Sequence, residues 1–241
     1  MLLFLGCDLE DAPDCIQSEG EIIQQEFDVA GFKKIIVWNR VKLIISDGPE
    51  QRVMVETGQN LMEEVRVRVE DSILKVSDRN SCNFVRNYGV TKVYVTAPNI
   101  EEIRNSSGET VENIGPIRWN KLALLSEDRE AEDEFHIDGD FDLYGLDIVQ
   151  LAVLANGIST FRLKGKTNSA NFGIFDGDVR IEAGELEANG VFLFHRGTNK
   201  MIVNPQQVIR GRIVGLGDVI SKNQPPIVEV EELFRGRLIF E

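Results

Sequence analysis

A chain of 241 residues with 42% hydrophobic and 27% charged residues has the make-up of an ordinary folded protein. It can bury a sizeable core, as one large all-β domain or as two smaller lobes. The formal net charge of −14 argues against nucleic acid and against adsorption to anionic lipid head groups, because both want a basic surface.

An acidic surface suits cations, basic partners or simple solubility, and no apolar run is long enough to span a bilayer. The chain opens with Met-Leu-Leu-Phe-Leu-Gly-Cys, which matches the tail of a lipoprotein signal: a short apolar run, the small Gly6, then Cys7. The run lacks a basic segment and is short for a complete signal. Two readings follow: a true start farther upstream with lipidation at Cys7, or an apolar N-terminus that mimics one. Residues 1–20 read as a tether, acidic and interrupted by Pro13.

With Cys7 lipidated, Cys15 and Cys82 remain as an even pair in an oxidising compartment. A disulfide between them would close a long loop, worth about 4 kcal/mol in the chain-entropy model; the alternative is two free thiols. There is no Cys-x-x-Cys, and His136 and His195 lie far apart in sequence, so no zinc site is expected. No motif implies a cofactor.

Residues 21–99 read as an irregular β region. Stretches 32–37 and 41–45 are rich in β-branched residues, and 52–56 alternates cleanly. Residues 60–64 form the one expected helical turn, with Asn60 as its cap and Leu61 and Met62 inward. Val65, Val67 and Val69 alternate with Arg66, Arg68 and Glu70, and Asp71-Ser72 turns that strand back into 73–76 as a hairpin. A polar loop, 78–89, carries Cys82, Phe84 and Tyr88, and strand 90–95 stops before Pro98.

Residues 100–241 carry a repeat. Gly157, Gly177, Gly197 and Gly217 stand twenty residues apart. Leu154, Ile174, Phe194 and Val214 keep the same step, as do Phe161, Ile181 and Met201, with Ser221 fourth. This period predicts a β-solenoid of about twenty residues per coil, its apolar columns inside and its glycines at corners. An early coil carries an acidic insertion at 127–134. Pro225-Pro226 ends the repeat, and 227–230 and 238–240 serve as a C-terminal cap over the last coil.

Several local stretches carry a family likeness: Ala12-Pro13-Asp14-Cys15, Phe32-Lys33-Lys34-Ile35-Ile36-Val37 and Val41-Lys42-Leu43-Ile44-Ile45. Asn60-Leu61-Met62, Asp71-Ser72-Ile73-Leu74-Lys75-Val76 and Ser81-Cys82-Asn83 add to it. So do Ser106-Ser107-Gly108 and Gly217-Asp218-Val219 followed by Pro226. With these residues the chain resembles the auto-transporter adhesin head GIN domain family of Bacteroidetes-type exported proteins. The resemblance implies an all-β, right-handed single-stranded parallel β-helix, often on a lipoprotein tether, with no agreed activity to carry over.

Three groups of residues bear on chemistry. Asp138, Asp140 and Asp142 alternate with oxygen ligands that calcium accepts. The calcium-loop pattern wants Gly and Glu where Leu143 and Val149 stand, so simple alternation accounts for them better. β-Helices also carry pectate lyases and polygalacturonases. Asp176 and Arg196 would stack on successive coils with Asp178 and His195 nearby, a low-grade catalytic candidate. The plainer account is an exposed inter-coil ion pair worth at most ~1 kcal/mol. Polygalacturonase-like Asn-Thr-Asp, Asp-Asp and Gly-His-Gly motifs are missing. Aromatic platforms for a glycan would have to come from Trp38, Trp119, Tyr88, Tyr94 and Tyr144, with Trp119 and Tyr144 better explained as buried rings.

The sequence therefore favours a non-enzymatic β-helical module in an adhesin-like or structural role, with a pectinase-type polysaccharide enzyme as the alternative. Expected partners are an unknown macromolecule, such as a glycan or surface protein, and possible further copies of the chain. A membrane would be met only through a lipid anchor. The expected location is the outer membrane or cell surface as a lipoprotein, with the periplasm as alternative.

Overall fold

The computed structural model describes residues 19–80, 91–132 and 134–241. Cys7, Cys15, Cys82 and Tyr88, with the lipidation and disulfide expected of the cysteines, lie outside those residues. Runs of Val, Ile, Leu and Phe at alternate positions make almost every element a strand. In order these are β1 (Ile22–Phe27), β2 (Lys34–Trp38), β3 (Lys42–Asp47), β4 (Arg52–Gly58), β5 (Val65–Glu70), β6 (Ile73–Asp78), β7 (Lys92–Ala97), β8 (Glu102–Ser106) and β9 (Val111–Asn113). Then come β10 (Lys121–Ser126), the long β11 (Phe141–Ala155), β12 (Thr160–Ile174), β13 (Arg180–His195) and β14 (Met201–Ile213), and finally β15 (Val219–Ser221), β16 (Ile227–Glu232) and β17 (Leu238–Phe240). The fold is all-β.

The expected helical turn is a single 3-10 segment, Gln59–Glu64, that buries Leu61 and Met62. Its cap is Gly58 in extended conformation, without a side-chain bond, and not Asn60.

All seventeen strands belong to one sheet of mixed pairing, nearly closed on itself like a barrel. This corrects the expected single-stranded parallel β-helix. β5 runs antiparallel to β6, and β4 runs antiparallel to both β1 and β7. The reason is local. Asp71 and Ser72 both adopt positive φ, 51° and 61°, the two-residue hairpin geometry, and so short a connection can join only antiparallel strands.

The strands follow two ladders. The first runs β5, β6, β2, β8, β10, the C-terminal halves of β11 to β14, and β16. The second runs β1, β4, β7, β3, β9, the N-terminal ends of β11 to β14, β15 and β17. The long strands pass from one ladder to the other through register shifts, as between Arg162 and Lys164 in β12.

The core lies between the ladders. On the second ladder Val111, Phe141, Phe161, Ile181, Met201 and Val219 sit side by side, all buried. Val219, and not Ser221, stands beside Met201. Phe141 and Phe161 stack at 4.9 Å. Each such side chain contributes roughly 1.5–3 kcal/mol.

On the first ladder the expected column of Leu154, Ile174, Phe194 and Val214 does not form. The register shifts place Leu154 beside Gly173, Phe194 and Arg212 on the outside, and Ala155 beside Ile174, His195 and Ile213 on the inside. Three of the expected corner glycines stack, Gly157, Gly177 and Gly197, whereas the register shift puts Gly215 over Gly197 and Gly217 over Asn199. At Gly177 (φ +78°) an added Cβ would lie 2.2 Å from the carbonyl oxygen of Gly157, so this corner admits only glycine.

Candidate functional site

Alternation within β13 determines which rings face out. Val191, Leu193 and His195 point inward and are buried, leaving Phe192 and Phe194 on the outer surface of the first ladder. Beside Phe194 the row has no side chain, because its neighbour is Gly173. Phe175 fills that gap: a Cβ on Gly173 would sit 2.9 Å from the Phe175 ring. Phe175 and Phe194 lie 5.7 Å apart at 30°. Arg129 covers Phe175 at 3.3 Å from the ring centroid, and Arg212 reaches over Phe194 at 6.0 Å. The result is a strip of two adjoining rings with a guanidinium group over each, on a protein whose net charge is strongly negative.

Arg129 comes from the acidic insertion, which folds back over this surface as a strap. Glu127 is buried and holds two arginines, Arg104 and Arg129, each at 3.0 Å. Arg104 also donates to the Glu127 carbonyl. Farther along, Phe135 stacks on Trp38 at 6.0 Å and lies under Arg104, 4.2 Å from its ring centroid. Asn156 and Asp128 exchange hydrogen bonds of 2.7 and 3.3 Å at the strap's base. The Glu127 carboxylate is thus committed to the strip, while Glu130, Glu132 and Glu134 are exposed.

The residues singled out from sequence are scattered. His195 is fully buried. Its Nε2 lies 3.0 Å from the Asn199 carbonyl, and its Nδ1 has no partner. Burial pushes its pKa below the usual range, opposed by the Asn199 carbonyl and by Asp218. Asp176 is exposed and accepts a bond from the Gly177 amide at 2.9 Å. Asp178 accepts from the Thr198 hydroxyl at 2.5 Å and the Asn199 amide at 3.2 Å. Arg196 is exposed, and among the described residues no ion pair joins it to Asp176. The imidazole faces the core while the carboxylates and Arg196 face solvent, so the four do not converge on one reacting centre.

Asp140 accepts from the Thr160 amide at 2.7 Å and meets Arg162 at 3.7 Å, while Asp138 is exposed beside Gly108. Among the described residues no group of three or more His, Cys, Asp or Glu is placed to hold a metal ion. Trp119 is buried and donates to the Ala97 carbonyl at 3.3 Å, whereas Tyr144 is half exposed.

A family model described as "Putative auto-transporter adhesin, head GIN domain" matches residues 31–225. The chain belongs to the head GIN family. Solved structures agree with the fold. A "putative adhesin" from Bacteroides fragilis superposes with a TM-score of 0.80 at 22% identity, covering 92% of this chain and 97% of that one. A "putative lipid binding protein" from Parabacteroides distasonis gives 0.61 at 15% identity, covering 91% and 97%. A "putative adhesin" from Parabacteroides merdae gives 0.61 at 13%, covering 92% and 97%. No curated protein matches the sequence. Among the described residues of this head GIN chain, no helix is long and apolar enough to cross a membrane.

Sequence reasoning placed Phe194 in the core and so missed the strip. The signal was present in the alternation Val191-Phe192-Leu193-Phe194-His195, which puts both phenylalanines on the face opposite Val and Leu.

Proposed function

We propose that this head GIN protein is an exported, non-enzymatic surface module with an adhesin-like role, and that the strip of Phe175, Phe194, Arg129 and Arg212 contacts its macromolecular ligand. The ring-and-guanidinium arrangement carries the reading. Aromatic faces take the apolar side of a sugar ring or side chain, and planar guanidinium groups bind carboxylates in pairs of hydrogen bonds. A glycan or surface protein bearing carboxylates fits both. Family membership supports the adhesin-like role.

The test is a binding screen of the folded chain against acidic and neutral glycans and matrix proteins, repeated with Phe194→Ala and Arg212→Ala. Retained folding with about tenfold weaker binding supports the strip, as expected for loss of a well-packed contact of ~1.4 kcal/mol. No binding to any member of either class rejects the adhesin-like role. Display through a lipid at Cys7, with Cys15 and Cys82 oxidised to a pair, belongs to the same proposal. Intact mass of the exported protein tests it, and an unmodified Cys7 with Cys15 and Cys82 both free, all three cysteines alkylatable, would reject it.

A further inference from the structure

The first ladder ends in two strands whose outer edges have no ladder partner among the described residues. At one end β5 pairs only with β6, and at the other β16 pairs only with β14. Open edges invite another strand. The two edges carry complementary patterns. β5 reads Val65-Arg66-Val67-Arg68-Val69-Glu70, with its valines toward the core side and its arginines out. β16 reads Ile227-Val228-Glu229-Val230-Glu231-Glu232. Its Val228 stands beside Ile209 and its Val230 beside Gly211, so Glu229 and Glu231 alternate to the outside. Val228 is left 41% exposed.

We infer that copies of this chain assemble head to tail, the β5 edge of one adding antiparallel to the β16 edge of the next. β5 runs opposite to every other strand of its ladder, and β16 runs with them, so a repeat in one direction makes the new pair antiparallel. One register satisfies the edge. With Val228 opposite Val69 and Val230 opposite Val67, Glu229 meets Arg68, Glu231 meets Arg66 and Ile227 meets Glu70. A shift of two residues either way brings Glu229 against Glu70 or Glu231 against Glu64, and like charges directly opposite are destabilising.

The same signs disfavour a symmetric dimer. Two β16 edges joined antiparallel about Val230 would set Glu229 against Glu231, and two β5 edges joined about Val67 would set Arg66 against Arg68. A head-to-tail contact of unlike surfaces does not close on itself in a twofold pair and grows into a chain or ring. Arg210 already meets Glu229 at 2.8 Å, so Arg68 of the next copy would extend an existing charge ladder. Charges on edge strands ordinarily guard against such pairing. Here a guard reading leaves unexplained why one edge is basic and the other acidic at matching alternate positions.

The test is sedimentation velocity of the full chain under reducing conditions over a wide concentration range. Average mass should climb past twice the monomer as concentration rises. Growth should weaken between ~0.1 M and ~1 M salt, where the screening length falls from ~10 to ~3 Å. Arg66→Glu with Arg68→Glu makes both edges acidic, and Glu229→Arg with Glu231→Arg makes both basic. Each double variant alone should stay folded and monomeric, the Glu229→Arg with Glu231→Arg form melting lower because its new cations stand beside Arg210 and Arg212, and an equimolar mixture of the two should assemble again. A strict monomer at every concentration overturns the inference and leaves the charges as guards. So does a dimer that stops growing, growth indifferent to both variants, or a mixture that stays monomeric.

Discussion

His195 stands in a column with Ala155, Ile174 and Ile213 and is fully buried. Its Nδ1 lacks a partner, and burial lowers its pKa from the usual 6.5. The native state therefore favours the neutral ring, and the unfolded chain takes up the extra proton as pH falls through 6.5. The stability tied to this ring is present above that value and lost below it, toward the lowered native pKa. The carboxylates act in a different window. Glu26, Glu56 and Glu70 are held below their usual 4.5 chiefly by hydrogen bonds from Arg52, Lys92 and Lys75, so their share is lost only as pH falls below that value. A melting series should thus show two descents on acidification. In His195→Leu the upper descent, which begins near pH 6.5, should flatten while the lower one remains. The variant should melt within ~1 kcal/mol of the parent at neutral pH, since the orphaned Nδ1 leaves together with the Nε2 bond. An unchanged upper descent would remove His195 as its cause.

The strap shows how an element can be read correctly in composition and wrongly in role. Its acidic residues mark an insertion, but nothing in a run of Glu and Asp tells that Glu127 folds inward. That follows from Arg104, which sits on β8 and reaches the strap only after distant strands have paired. The Arg104 and Glu127 side chains are 14% and 7% exposed. Glu127→Ala should accordingly cost about 3–5 kcal/mol by stranding a buried guanidinium. Lys164→Ala breaks a pair with Glu185 at 2.8 Å whose side chains are 50% and 72% exposed, and should cost under ~1 kcal/mol. Urea unfolding of both decides, and equal losses would mean that the strap does not clamp the strip. Legibility follows the same line between local and distant. The β5–β6 hairpin is written in Asp71-Ser72, and three of the corners in Gly157, Gly177 and Gly197, twenty apart; the fourth falls on Gly215 and not on Gly217. The pairing of β4 with β1 and β7 has no local signature. Each coil's bulges also move Phe194 out of the column that a strict count of twenty assigns it. The strip was unreadable for that reason, since its rings come from β13 and the turn after β12, and its cations from the strap and β14.

At the scale of the whole molecule the two ladders make a sheet with interior strands and ends of unequal security. β13 has ladder neighbours on both sides, β12 and β14; among the described residues β16 has only β14 beside it on the first ladder, and Ile227, Val228, Leu233 and Phe234 around it are exposed. Local opening is cheapest where a strand is held on one side and few apolar contacts resist it. Amide exchange of the dilute protein should therefore be fastest in β16 and β17, slower in β5, whose Val65 is buried, and slowest in β12 and β13. Concentration gives the pattern a second use. Head-to-tail addition supplies acceptors to the outward amides of both β16 and β5, so these two strands should gain protection together as the protein is concentrated, while β13 stays unchanged. Protection gained at β16 alone would mean a different surface covers that end. Dilute β16 amides as slow as those of β13 would mean that this edge is already closed within a single chain.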